Sequence, residues 1–137
     1  MGRVLMLGAA VVLAATVAGC GTQAPDLFAL QRGGQVAGAR LSLVVSDDGA
    51  VRCNGGRPRD MPSRLLLQAR AYTREVAPDA KRGRRYPPRP GWVFRYAMRT
   101  QDGTVGWYDT SRPLPVRYLD VAYLVRQIAQ QVCGLAR

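Results

Sequence analysis

Two Asp-Gly pairs, Asp48-Gly49 and Asp102-Gly103, do most to limit the folds open to this chain. Each lies between two short apolar stretches, and each is followed by a longer stretch of helical period. Asp-Gly supplies the positive φ that a tight hairpin turn demands. Before the first pair, Leu41-Ser42-Leu43-Val44-Val45 is aliphatic and partly alternating; after it comes Val51-Arg52-Cys53. Around the second, Trp92, Phe94, Tyr96 and Met98 share one side of a strand, and Val93, Arg95, Ala97 and Arg99 share the other. Val105 and Trp107 carry the alternation onward.

The helical stretches are equally plain. Gly55-Gly56-Arg57-Pro58 ends the first hairpin, Asp60 is placed to cap a helix, and Pro62 suits its first turn. Leu65, Leu66, Ala69, Tyr72 and Val76 then recur on one face, and Pro78 is expected to stop the helix. After a loop from Asp79 to Gly91 and the second hairpin, Pro113-Leu114-Pro115 breaks the chain. Tyr118, Val121, Ala122, Val125, Ile128, Ala129 and Val132 form the second apolar face, with Gly134 placed as its C-terminal cap. The order reads ββαββα: an α+β two-layer sandwich, its antiparallel sheet built from two hairpins with both helices on one face. Overlaying the two Asp-Gly pairs roughly superposes the halves, an architectural hint of duplication with little side-chain identity. Residues 28–137 make one domain. Phe28-Ala29-Leu30-Gln31 reads either as a short strand or as part of an N-terminal tether, and Arg32-Gly33-Gly34 as a turn.

The N-terminus has its own pattern. Arg3 precedes an apolar run from Val4 to Val17, which small residues close. This is the layout of an export signal. The run is shorter than the ~20 residues a spanning helix needs. Val17-Ala18-Gly19-Cys20 resembles the lipobox of bacterial lipoproteins: an aliphatic residue, two small ones, then the cysteine that is lipidated. The resemblance covers only residues 1–20. It implies that residues 1–19 are a cleaved signal, that Cys20 carries diacylglyceryl (palmitate-type) chains, and that residues 20–27 form a short tether. The protein is then exported and anchored to the outer face of the cytoplasmic membrane without spanning it, since two or more acyl chains hold stably where one does not. With Cys20 taken by lipid, Cys53 and Cys133 remain, in a compartment where disulfides persist. A bridge between them closes a loop of about eighty residues, which the chain-entropy model values at about 4–5 kcal/mol. The alternative, a redox or metal-binding thiol pair, has neither a CxxC nor any histidine behind it. Lys81 is the only lysine among 20 basic residues, a bias that looks like an exported domain from a high-GC, actinobacterium-like genome.

Catalytic machinery is hard to assemble from this composition. Without histidine, Ser-His-Asp, Cys-His and His-based zinc sites are excluded. Most of the nine acidic residues have structural readings: Asp47, Asp48 and Asp102 in turns, Asp60 as a cap, Asp26 in the tether, and Asp120 in the first turn of the last helix. Glu75, Asp79 and Asp109 are left without an evident acid/base pairing. Gly33-Gly34 and Gly55-Gly56 lack the spacing of a phosphate loop and read as turns. No enzyme activity, metal or cofactor is expected.

Charge is more informative. The chain carries +11, and Lys81, Arg82, Arg84, Arg85 and Arg89 crowd one stretch that Pro87, Pro88 and Pro90 stiffen. One reading is a solvated surface loop. The other is an anion-contact loop. For an exported lipoprotein the nearby polyanions are anionic phospholipid and phosphate-bearing envelope polymer, and nucleic acid is not expected. The leading expectation is therefore a non-catalytic, lipid-anchored envelope protein whose basic loop binds such an anion. The alternative is a protease inhibitor or protein-interaction module, with an envelope protein as partner, that presents an arginine from the same loop. The hairpin-Cys-helix start is faintly similar to secreted subtilisin-inhibitor domains, although no cysteine braces residues 81–91. Whether the sheet face with Arg95 and Arg99 binds anything is left open by the sequence.

Overall fold

The computed structural model describes residues 24–136, so the expected signal and Cys20 lie outside it. Eight elements follow: β1 (Asp26–Gly34), β2 (Leu41–Ser46), β3 (Ala50–Cys53), β4 (Pro58–Asp60), α1 (Ser63–Lys81), β5 (Phe94–Thr100), β6 (Gly103–Tyr108) and α2 (Val116–Gln131). The strands form one antiparallel sheet in the order β4-β3-β2-β1-β5-β6. The chain is α+β as expected. β2 pairs with β3 around Asp47–Gly49, with Val45 opposite Val51, and β5 pairs with β6 with Thr100 opposite Gly103. Gly49 takes the positive φ, 91°, that the turn requires. The element order is nevertheless not ββαββα, because β1 and β4 are added to the two hairpins.

β1 is the main correction. It occupies the middle of the sheet, between β2 and β5, and joins the two hairpins. Asp26 and Leu27 belong to it and not to a tether, and Arg32-Gly33-Gly34 is its last part and not a turn. Phe28 and Leu30 point into the core, and the next inward position is Arg32. This arginine is 5 % exposed, donates from Nε to Ala39 O at 2.8 Å and from Nη2 to Gly38 O at 3.2 Å, and lies over the Phe94 ring. A charged residue in an inward position broke the apolar alternation and hid the strand. Gly34 completes it because a Cβ there would stand 2.3 Å from Val93 O.

Three smaller expectations also fall. Asp60 lies in β4, a short exposed edge strand that tolerates Pro58 at its start, and does not cap α1. Pro78 does not stop α1; it sits in the last turn, and the helix continues to Lys81. Asp120 lies beyond the first turn of α2, which contains no acidic residue.

Both helices pack on one face of the sheet in a single core. α1 buries Leu65, Ala69 and Val76; α2 buries Tyr118, Val121, Leu124, Val125, Ile128 and Ala129. Trp107 anchors this layer: its ring stacks on Tyr96 at 5.0 Å and meets Tyr118 at 4.9 Å. Cys53, at the end of β3, is bonded to Cys133, just past α2, with Cα atoms 5.9 Å apart. The bridge fastens the last helix to the sheet. No described helix is long and apolar enough to cross a membrane.

Candidate anion-binding face

The helices leave the opposite face of the sheet open. Strand alternation sends Arg52, Arg95 and Arg99 to it, each next to a core-facing neighbour, Val51 or Met98 or Tyr96. Between these arginines the face is small or polar: Gln31 lies opposite Ser42 and Ala97, and Ala97 opposite Gly106. Near the Gly34 end of β1 the surface sinks into a concavity of about 440 Å³ whose lining includes Arg40, Arg85, Arg95 and Tyr108. None of Arg40, Arg52, Arg85, Arg95 and Arg99 makes an ion pair or a side-chain hydrogen bond among the described residues. Guanidinium groups gathered without ion-paired carboxylates create a positive potential that favours an anion; Asp60, opposite Ala50, lies on the same face at its β4 edge.

The basic stretch 81–89 is not a free loop. Arg84 O accepts a hydrogen bond from Gly106 N at 3.0 Å, and Tyr86 N donates to Gly106 O at 2.9 Å, so the segment pairs with β6 through a parallel bridge at Arg85. Ser111 Oγ donates to Tyr86 O, and Arg89 is tied at both its N–H and its carbonyl to Thr110 Oγ1. Extended pairing points successive side chains in opposite directions. Arg84 therefore turns to the helix side, 4.0 Å from Asp79, while Arg85 lies over Gly106 on the open face. Lys81 ends α1 and Arg82 follows it, both exposed, and Arg89 is exposed between prolines. Of the five residues that the sequence groups together, the structure brings Arg85 alone into the concavity, beside Arg40 and Arg95.

The segment is held from beneath by Asp79. This carboxylate, 5 % exposed near the end of α1, accepts hydrogen bonds at Oδ2 from Tyr118 Oη at 2.6 Å, Tyr86 Oη at 2.9 Å and Arg117 Nη2 at 2.5 Å. Burial pushes its pKa up, but the bonds from Tyr118, Arg117 and Tyr86 and the Arg117 charge outweigh burial and hold it at about 2. Burial and the bond to Asp79 raise the Tyr118 and Tyr86 hydroxyls. Asp79 thus joins α1, the docked segment and α2, with no second carboxylate among its partners in the described residues. Asp109 accepts from the backbone N–H of Val93 and Phe94 and sets the entry to β5; Glu75 is exposed. The turn acids are used locally: Asp48 accepts from Ala50 N, and Asp47 pairs with Arg70 at 2.7 Å. No group of His, Cys, Asp or Glu suited to a metal ion occurs among the described residues.

Sequence reading missed Arg40 and the convergence on Gly106. Arg40 lies in the stretch whose strand was hidden, and no periodic signal marks it. The period of two along β5 did place Arg95 and Arg99 on one side. Comparison with protein-family models, with curated proteins and with solved structures found no match.

Proposed function

We propose that this is a non-catalytic, lipid-anchored cell-envelope protein whose open sheet face holds an anionic surface: phospholipid head groups or a phosphate-bearing envelope polymer. One observation carries the reading: five arginines from β3, β5, the β1–β2 loop and the docked segment share that face without a carboxylate partner among the described residues. Each basic residue near an anionic surface contributes about 1 kcal/mol within a Debye length. Anchoring through Cys20 adds to this, since the five residues between Cys20 and β1 reach at most ~18 Å.

The same geometry weighs against the inhibitor alternative. The backbone of Arg84 and Tyr86 is spent on Gly106, so it is not free to pair with a protease. Arg89 is followed by Pro90.

The test separates the face from the loop. Residues 21–137 are sedimented with phosphatidylglycerol vesicles as an Arg40→Gln/Arg95→Gln/Arg99→Gln variant and as an Arg82→Gln/Arg84→Gln variant. Loss of binding in the first with retention in the second supports the open face. Equal binding by both overturns it.

A further inference from the structure

The open face holds a feature that general basicity does not require. Gly33 on β1 and Gly106 on β6 both lie on it, and each is covered by a guanidinium. A Cβ at Gly33 would stand 2.8 Å from Arg95 Nε, and one at Gly106 would stand 3.0 Å from Arg85 Nη1. Gly106 is buried although it faces away from the core, because Arg85 lies across it. Gly33 pairs with Arg95, and Gly106 pairs with Ala97, so the two glycines flank a low floor with Ala97 between their rows. Each missing Cβ lets an arginine lie along the sheet and reach inward, not stand out into water. Arg40 closes a third side, and Tyr108, which pairs with Arg95, supplies an aromatic wall.

From this cradle we infer a discrete binding pocket for a single phosphomonoester, held by Arg40, Arg85 and Arg95. A phosphomonoester offers three terminal oxygens and close to two negative charges, and guanidinium forks bind such oxygens in pairs. Three forks around one recess match that group better than a carboxylate, which has two oxygens and one charge. The organic part of the ester lies toward Tyr108. The same chemistry occurs in the head group of a phosphatidic acid and in a soluble phosphorylated compound. The inference rests on the proposed anion-binding face, and it adds a shaped site to that face.

The glycines allow the pocket to be removed without changing charge. Neither Gly33 nor Gly106 has a positive φ, and the atoms that a new methyl would meet first belong to flexible arginine side chains. The variant Gly33→Ala/Gly106→Ala should therefore fold and keep every arginine, while pushing Arg95 and Arg85 off the floor. The full chain in phosphatidylcholine nanodiscs is titrated with glycerol 3-phosphate, and with acetate as control, while the amide resonances of Gly33, Ala97 and Gly106 are followed. In the wild type, glycerol 3-phosphate is expected to bind at least about tenfold more tightly than acetate and to shift these amides together. The glycine variant is expected to lose about tenfold or more toward glycerol 3-phosphate, with Ala97 as its reporter.

Unchanged binding in the glycine variant overturns the pocket, and equal affinity for acetate does so too. If binding to phosphatidylglycerol vesicles persists in the glycine variant while glycerol 3-phosphate binding is lost, both the face and the pocket stand. If the glycine variant and an Arg85→Gln/Arg95→Gln variant both bind like the wild type, both fail. Repeating the titration in nanodiscs containing phosphatidic acid identifies the source. Occlusion of glycerol 3-phosphate by the lipid assigns the pocket to a head group, and undiminished binding assigns it to a soluble or polymer-borne ester.

Discussion

Replacing Asp79 by Asn tests the part of the structure that holds the docked segment and both helices in one arrangement. The carboxyl, ordinarily near 3.8, is held at about 2. At about 1.4 kcal/mol per unit, that depression corresponds to about 2.5 kcal/mol of folding free energy at neutral pH as an upper figure. The Arg117 side chain is 31 % exposed, so its share is partly screened by solvent, whereas Tyr118 is fully buried. Asn can place one neutral oxygen where Oδ2 stands, but Tyr118, Tyr86 and Arg117 then donate to an uncharged acceptor, and such bonds are roughly half as strong as those to a carboxylate. Asp79→Asn should lose about 2–3 kcal/mol in urea unfolding at pH 7, near the lower end of what breaking a buried ion pair costs. The sign of the pH dependence follows from the depressed pKa. The contribution is complete above about pH 4, falls as pH drops from there through 2, and is gone below. Wild type should therefore lose stability between pH 4 and 2 more steeply than Asp79→Asn, and the two curves should converge at the acid end. A variant that loses under about 0.5 kcal/mol, or that keeps the wild-type slope across this window, would refute the reasoning.

Other outcomes follow from the same contacts. Replacing both Cys53 and Cys133 by Ala should lower stability by up to about 4.5 kcal/mol on the chain-entropy estimate for an eighty-residue loop, measured by urea unfolding against the oxidised protein. Arg32→Ala leaves the carbonyls of Gly38 and Ala39 without this donor and uncovers Phe94; a loss of about 1–3 kcal/mol is expected, again by urea titration, with near-wild-type stability counting against a packing role for this arginine. Trypsin under native conditions should spare the bonds after Arg84 and Arg85, because their flanking backbone is paired with Gly106, and should cut there in Asp79→Asn; mass spectrometry of early fragments reads the difference.

Much of the fold was legible because it is written in period and turn chemistry. The Asp-Gly pairs marked two turns that the chain makes, and most of the apolar faces of α1 and α2 was named, with Ala80 and Leu124 missed. What escaped was written in exceptions. β1 carries Arg32 where an apolar residue was expected, and its cost is met by two carbonyls from a loop that no local pattern identifies. Pro78 reads as a stop, yet in the last turn of a helix it interrupts little. Asp79 looked like a leftover loop carboxylate; only the return of α2 brings Tyr118 and Arg117 to it. The candidate site divides in the same way. Alternation along β5 put Arg95 beside Arg99 on one face. The sequence cluster at 81–89 suggested one patch, and it is the pairing of that segment with β6 that sends Arg84 and Arg85 to opposite sides. Gly33 read as a turn residue and Gly106 carried no signal, and their use as cradles depends on arginines distant in sequence.

Anion binding by the open face is tested most directly by sedimentation of residues 21–137, without the lipid, with phosphatidylglycerol and with phosphatidylcholine vesicles at low and high salt. An anion-binding open face predicts binding to the phosphatidylglycerol vesicles alone, reversed by salt. Absence of binding at low salt, or equal binding to both lipids, would contradict it.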